Sequence, residues 1–200
     1  MPTSCQVSAH LHRFTYISAF NMAYRNPIMS LSQQRYSPLA YHITFICYGQ
    51  RLHGCEEGSV DPAHNIPGTP TIAPNPNLLR IKKDRMDQPP YEMDRPRRAV
   101  VMKAIRKTCD YRGWDLLAAH IRSTHVHICL QSSKSPESVM NALKSYASRE
   151  LNQGGFDFPS RKRWARHGST RYKWTIEEVE EAVYYIVYGQ GEPMEVYEKT

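Results

Sequence analysis

Two short apolar runs, WDLLAAHI from Trp114 and HVHICLQ from His125, are parted only by Arg122, Ser123 and Thr124. This interruption constrains the fold more than any other stretch, because runs so short, split by three polar residues, read as the two strands of a hairpin. The flanking patterns are helical. Upstream, DRPRRAVVMKAIRKTCDYRG puts Ala99, Val100, Met102 and Ile105 on an apolar face and Lys103 and Arg106 on a basic one, with Gly113 as the stop. Downstream, Ser135 is a cap and Pro136 opens a helix whose stripe is Val139, Met140, Leu143, Ala147 and Leu151. An earlier strand is expected over 41–49 and a last one around 170–174. A third helix is expected over about 175–188, with Ile176, Val179, Ala182, Val183, Ile186 and Val187 at helical spacing and its glutamates on a solvated outer face. Strand, helix, strand, strand, helix is the order of a ferredoxin-like α+β sandwich, with a mainly antiparallel sheet and helices on one face.

The remaining text sets the limits of that domain. Residues 1–38 mix polar residues with isolated hydrophobes and read as a poorly ordered leader, in which Met22 and Met29 are alternative starts. One domain is expected over 39–192, with a proline- and glycine-rich loop over 53–92 and a tail over 193–200. Five scattered cysteines without a C-x-x-C pair argue against a disulfide framework and against a zinc ribbon, and point to a reducing, cytoplasmic setting. No apolar run approaches the length of a membrane span. A formal net charge of +7 makes a polyanionic partner a reasonable expectation.

Side chains alternate along a strand, so His125 and His127 share one face while Val126, Ile128 and Leu130 share the other. Two imidazoles so placed can converge on one metal ion, although two half-exposed histidines on a solvated face satisfy the same spacing. Tyr146 and Glu150, four apart, share a helix face at the edge of the apolar stripe. A tyrosine there can pack its ring, or serve as a covalent nucleophile toward a phosphate if it reaches the histidine strand. Between Pro159 and Trp174, Arg161, Lys162, Arg163, Arg166, Arg171 and Lys173 are interleaved with Trp164, Tyr172 and Trp174, with no acidic residue among them. Cations for phosphates and aromatic planes for unstacked bases are what single-stranded nucleic acid needs.

His125-Val-His127 followed by LKSYASRELN, with RWARHGSTRYKW and YYIVYGQGEP downstream, resembles the single-tyrosine HUH transposases of the insertion-sequence-200-like family and their repeat-associated relatives. The resemblance covers about three quarters of the chain, roughly 41–188. It implies that His125 and His127 bind a divalent metal ion, Mg²⁺ or Mn²⁺, and that Tyr146 attacks single-stranded DNA. Glu150 stands where the family often has an amide or imidazole, as a further ligand. It further implies a 5′-phosphotyrosine intermediate with a free 3′-hydroxyl, a hairpin-bearing single strand as substrate and a homodimer as the working form. Two other readings stay open. One is a zinc-binding module joining His53 and Cys55 to the two histidines; the other is a catalytically silent or domesticated nucleic-acid-binding protein of the same fold.

Overall fold

The computed structural model describes residues 37–56 and 73–200. The chain divides into two units at Ser37 and Pro38, and the fold described is that of the second, Pro38–Thr200. The expected leader lies outside the described residues apart from its last two positions. In chain order the elements are β1 (Ala40–Cys47), α1 (Pro76–Asp84), α2 (Arg95–Arg112), β2 (Asp115–Ile121), β3 (His125–Gln131), α3 (Pro136–Gln153), β4 (Trp164–Lys173), α4 (Ile176–Tyr188) and β5 (Glu195–Glu198).

The expected hairpin is present as β2 and β3. The five strands form one sheet in the order β4-β1-β3-β2-β5, antiparallel at every junction. This is an α+β domain with an antiparallel sheet, as the sequence order implied. The helices start and stop where the caps dictate. Asp94 accepts from the Arg97 amide at 3.0 Å and Gly113 closes α2 in the left-handed region at φ 64°. Ser135 and Thr175 cap α3 and α4 in the same way.

The core lies between α2, α3 and one face of the sheet. Ile43 and Phe45 of β1 and Val126, Ile128 and Leu130 of β3 pack with Val101 and Ile105 of α2 and with Val139, Leu143, Ala147 and Leu151 of α3. Gly168 permits the close approach of α3 to β4, since a Cβ there would sit 2.5 Å from both the Met140 sulfur and the Thr44 carbonyl oxygen. The buried ammonium of Lys144 fastens the same junction by donating to the Ala165 and His167 carbonyls at 3.0 and 3.2 Å.

Four placements differ from expectation: Pro76–Asp84, inside the span expected as a loop over 53–92, is the helix α1 capped by Asn75, and three others follow. The first is α4, expected beside the other helices: it packs on β2 and β3 from the opposite face, burying Val179, Ala182, Val183 and Ile186 there. Both sheet faces are apolar enough in β2 to need a cover, since Leu116 through Ile121 are all buried. Second, β4 begins at Trp164 rather than near residue 170, so most of the basic segment is strand. Third, residues 195–198, expected in a tail, form β5 against β2. Among the described residues no helix is long and apolar enough to cross a membrane.

Candidate active site

The register of the sheet assembles the site. His127 on the central strand β3 is directly opposite Thr44 of β1 on one side and His120 of β2 on the other. Paired residues project to the same face, so Thr44, His127 and His120 form a row beneath α4. His125 lies two residues along β3, with its ring centroid 4.9 Å from that of His127. His42 joins from β1: its ring is 5.7 Å from the His127 ring, and its Nε2 is 3.4 Å from His127 Nδ1. Thr44 Oγ1 lies 2.9 Å from the same Nδ1.

Covering this face, α4 presents Tyr185. Its ring centroid is 5.7 Å from His127 and 5.9 Å from His42, edge-on to both, while the residue remains 47% exposed. The phenol is therefore anchored on the histidines yet open to solvent. His120 is the tie that holds α4 in place. Its Nδ1–H donates to the Ile186 carbonyl at 2.9 Å and its Nε2 accepts from the Met194 amide at 3.2 Å, so both ring nitrogens are already used.

Burial pushes the histidines toward their neutral forms. It lowers His42 to about 4, helped by the nearby charges of Lys173 and Arg171. It lowers His125 to about 4, with Arg51 and Arg122 adding to the effect, and His127 to about 3, with His125 and His42 adding to it. Neutral imidazole is the form that donates a lone pair to a metal ion. Among the described residues no group of three or more His, Cys, Asp or Glu side chains is arranged to hold a metal. The pair His125 and His127 nevertheless fits a divalent cation in donor chemistry, with Gln190 close to His125. Substrate oxygens and water would supply the remaining ligands.

The structure does not bring Tyr146 or Glu150 to this site. Both lie on α3, which packs against the Val126, Ile128 and Leu130 face, so the sheet stands between them and the histidines. Tyr146 Oη instead accepts from Arg112 at 3.3 Å, and the Arg149 guanidinium lies over its ring. Hydrogen bonding from Arg112 and its charge hold the Tyr146 phenol below its usual pKa. Glu150 pairs with Lys107 at 2.9 Å.

The basic strip divides in two. Arg163 is 3% exposed, donating to Asp157 at 2.9 Å and to Asn152 at 2.7 Å. Arg161 donates to Gln88 Oε1 and to the Pro89 and Pro90 carbonyls at 2.8–3.0 Å, and Lys162 pairs with Asp87. Trp164 donates its indole N–H to Lys144 O and Ser148 Oγ and packs edge-on to Phe45. Arg161, Arg163 and Trp164 hold the fold together, whereas Lys162 is half exposed in a surface ion pair. Arg166, Arg171 and Lys173 are the ones left for a ligand, and register puts Arg171 opposite His42, on the histidine face, with Lys173 two residues along the same face. His53 and Cys55, the zinc candidates, sit in the loop after β1, and Cys55 is buried.

Sequence reasoning missed Tyr185, His42, Thr44 and Gln190. One signal was available for Tyr185: YYIVY puts Tyr184, Tyr185 and Tyr188 on the exposed side of an otherwise ordinary amphipathic helix. Large aromatic rings left open in this way mark a contact surface more often than a scaffold.

The class defined by fold and site is an α+β domain with an antiparallel sheet, a central-strand histidine pair and a tyrosine-bearing helix laid across it. Residues 92–187 match the family model described as "Transposase IS200 like", so this segment is similar to that family. The segment contains both β3 histidines and Tyr185, whereas β1 with His42 precedes it. No curated protein matches the sequence at a significant level. Among solved structures, a REP-associated tyrosine transposase bound to a REP hairpin is similar at 12% identity and TM-score 0.41, over 75% of this chain and 65% of that one. A proposed transposase from Deinococcus radiodurans R1 is similar at 12% identity and TM-score 0.38, over 74% of this chain and 88% of that one.

Proposed function

We propose that this protein cleaves and rejoins single-stranded DNA through a covalent phosphotyrosine intermediate, with Tyr185 as the nucleophile. The observation that carries the reading is the meeting of Tyr185 with His127 and His42 on the face where His125 also projects. His125 and His127 would hold a divalent cation, Mg²⁺ or Mn²⁺. When bound, such a cation withdraws charge from the scissile phosphate.

The chain's own residues supply the rest. The Tyr185 oxygen attacks phosphorus, the bond from phosphorus to the 3′ oxygen breaks, and the strand leaves with a 3′-hydroxyl while the 5′-phosphate stays on the tyrosine. His42, neutral and next to Tyr185, takes the phenolic proton, and the departing 3′ oxygen takes one from solvent. Because the new bond is a phosphodiester of similar energy, a 3′-hydroxyl can reverse the step and rejoin DNA. Arg171 and Lys173 line the approach and neutralise strand phosphates. The reading includes a hairpin-bearing single strand as substrate and a homodimer as the working form.

Mapping of the adduct tests it. The full chain is incubated with hairpin-bearing single-stranded DNA and Mn²⁺, digested, and the DNA-linked peptide sequenced. Linkage at Tyr185 is expected; linkage at Tyr146 would move the nucleophile to α3, and no adduct on any strand would favour the catalytically silent alternative.

A further inference from the structure

The segment after β1 builds a cavity of about 380 Å³ beside the histidine pair, within the range of about 300–1,000 Å³ typical of ligand sites. Its walls include Ile46, Leu52 and Leu79; its polar lining includes Arg51, Lys83 and His125, and among the described residues no acidic one lines it. It therefore opens directly onto a residue of the proposed active site, since Ile46 of β1 is the register partner of His125.

Two backbone features hold the cavity in shape. Leu79 and Lys83 come from α1, whose start is seated on Gly54: the Asn75 amide donates to the Gly54 carbonyl at 3.1 Å. A Cβ at Gly54 would lie 2.4 Å from the Asn75 carbonyl oxygen and 2.9 Å from the Leu79 amide nitrogen, so any side chain there would push α1 away. Arg51 sits at φ 49°, the only non-glycine at positive φ among the described residues. A bulky residue in the left-handed region is strained and persists where the surroundings impose it. Here the backbone turn places Arg51 at the cavity wall, near enough to His125 and His127 for its charge to act on both rings.

A mixed slot, with apolar walls at Ile46, Leu52 and Leu79 and two cations among its polar lining, suits a flat, uncharged ring joined to a phosphate. We infer that this cavity is the subsite for the nucleotide next to the scissile phosphate, with the base between Ile46, Leu52 and Leu79 and its phosphate between Arg51 and Lys83. The inference rests on the nuclease reading for the identity of its neighbour, and it adds a protein-based contribution to the choice of cleavage position.

The test uses the full chain and a fluorescent single-stranded DNA selected for binding from a random-sequence pool, with each base replaced in turn by an abasic site. In a Tyr185→Phe background, which prevents turnover, one abasic position should weaken binding about tenfold, as loss of a buried or stacked base does. That penalty should vanish when Leu79→Trp fills the slot. Arg51→Gly, which keeps the backbone conformation and removes the charge, should lower the dependence of log affinity on log salt by about 0.7. A flat abasic scan, or a penalty unchanged by Leu79→Trp, would overturn the subsite. Adduct formation by the unsubstituted chain is scored separately. The expected footprint without an adduct would sink the nuclease reading and leave a nucleotide pocket, and an adduct with a flat scan would do the reverse.

Discussion

The two faces of the sheet are built on opposite terms. The face under α2 and α3 is hydrophobic throughout, with Phe45, Val126, Ile128 and Leu130 close-packed against both helices. The face under α4 carries Thr44, His42, His120, His125 and His127 on the same three strands, and His120 and His127 are as buried as core residues. Burying polar side chains costs free energy unless each finds a partner. The second face meets that cost locally through Thr44, Ile186 and Met194, while the first supplies the stability that lets the sheet tolerate it. The difference teaches where to look for chemistry: two tyrosines on two amphipathic helices are equivalent until the helices choose faces.

That contrast can be broken most sharply at the tyrosines. Tyr185→Phe should lower adduct formation by at least about 10³-fold, the scale of losing a covalent nucleophile, whereas Tyr146→Phe should stay within a few fold. Gel quantification of covalent adduct decides it, and the reverse result would exchange the roles of the two faces. A second cut is made at neighbouring residues of β3. His127→Ala should cost at least about 10²-fold in Mn²⁺-dependent cleavage with a modest stability change. Ile128→Ala should cost about 2–5 kcal/mol in denaturant unfolding yet leave the activity of folded molecules largely intact. Equal effects of the two would mean that the faces are not specialised.

Asp157 sharpens the comparison at the rim. Burial alone would raise its pKa, but hydrogen bonds from Tyr91, Arg163 and Arg97 outweigh burial and hold it below the usual carboxylate value. A carboxyl depressed on folding stabilises fully above its unfolded pKa of about 3.9, and the contribution fades as pH falls below that toward the folded value. Asp157→Asn, which removes the anion shared by two guanidinium groups while each keeps another partner, should therefore cost about 1–3 kcal/mol at pH 7, and the gap from wild type should close as pH drops below about 4. Urea titrations at several pH values measure it; a gap that is constant with pH would remove the charge from the explanation.

The smallest effect lies along the basic strip. Arg171→Ala and Lys173→Ala should each weaken single-strand binding and lower its salt slope by about 0.7, without loss of stability. Arg163→Ala should do the opposite, destabilising the fold and leaving the slope of the folded fraction unchanged. Fluorescence anisotropy across a salt series separates the two groups.

What was legible in the sequence follows the range of the interactions. The β2–β3 hairpin, the three capped helices and the shared face of His125 and His127 are set by residues within a few positions of one another, so periodicity and caps reveal them. The landing of α4 on the histidine face is set by contacts such as His120 with Ile186, 66 residues apart, which no local pattern contains. The same reason explains Arg163. In the sequence it is one of six cations without an acidic neighbour, but the fold brings Asp157 and Asn152 to it. Strand β5 escaped because Glu195–Glu198 is four residues long and half acidic, so only pairing with β2 identifies it.

Strand order also has a temporal side. β1 is made early, but its neighbours in the sheet are β3, ending at Gln131, and β4, which begins at Trp164 and ends at Lys173. At roughly 5–20 residues per second of synthesis, the ribosome needs on the order of ten seconds after finishing β1 before the β4 edge can close. Through that interval one edge of an apolar strand with Ile43, Phe45 and Cys47 waits for its β4 partner. Folding of this domain is therefore governed by late, long-range closure, and the nascent chain is most vulnerable to off-pathway strand pairing before its last third emerges.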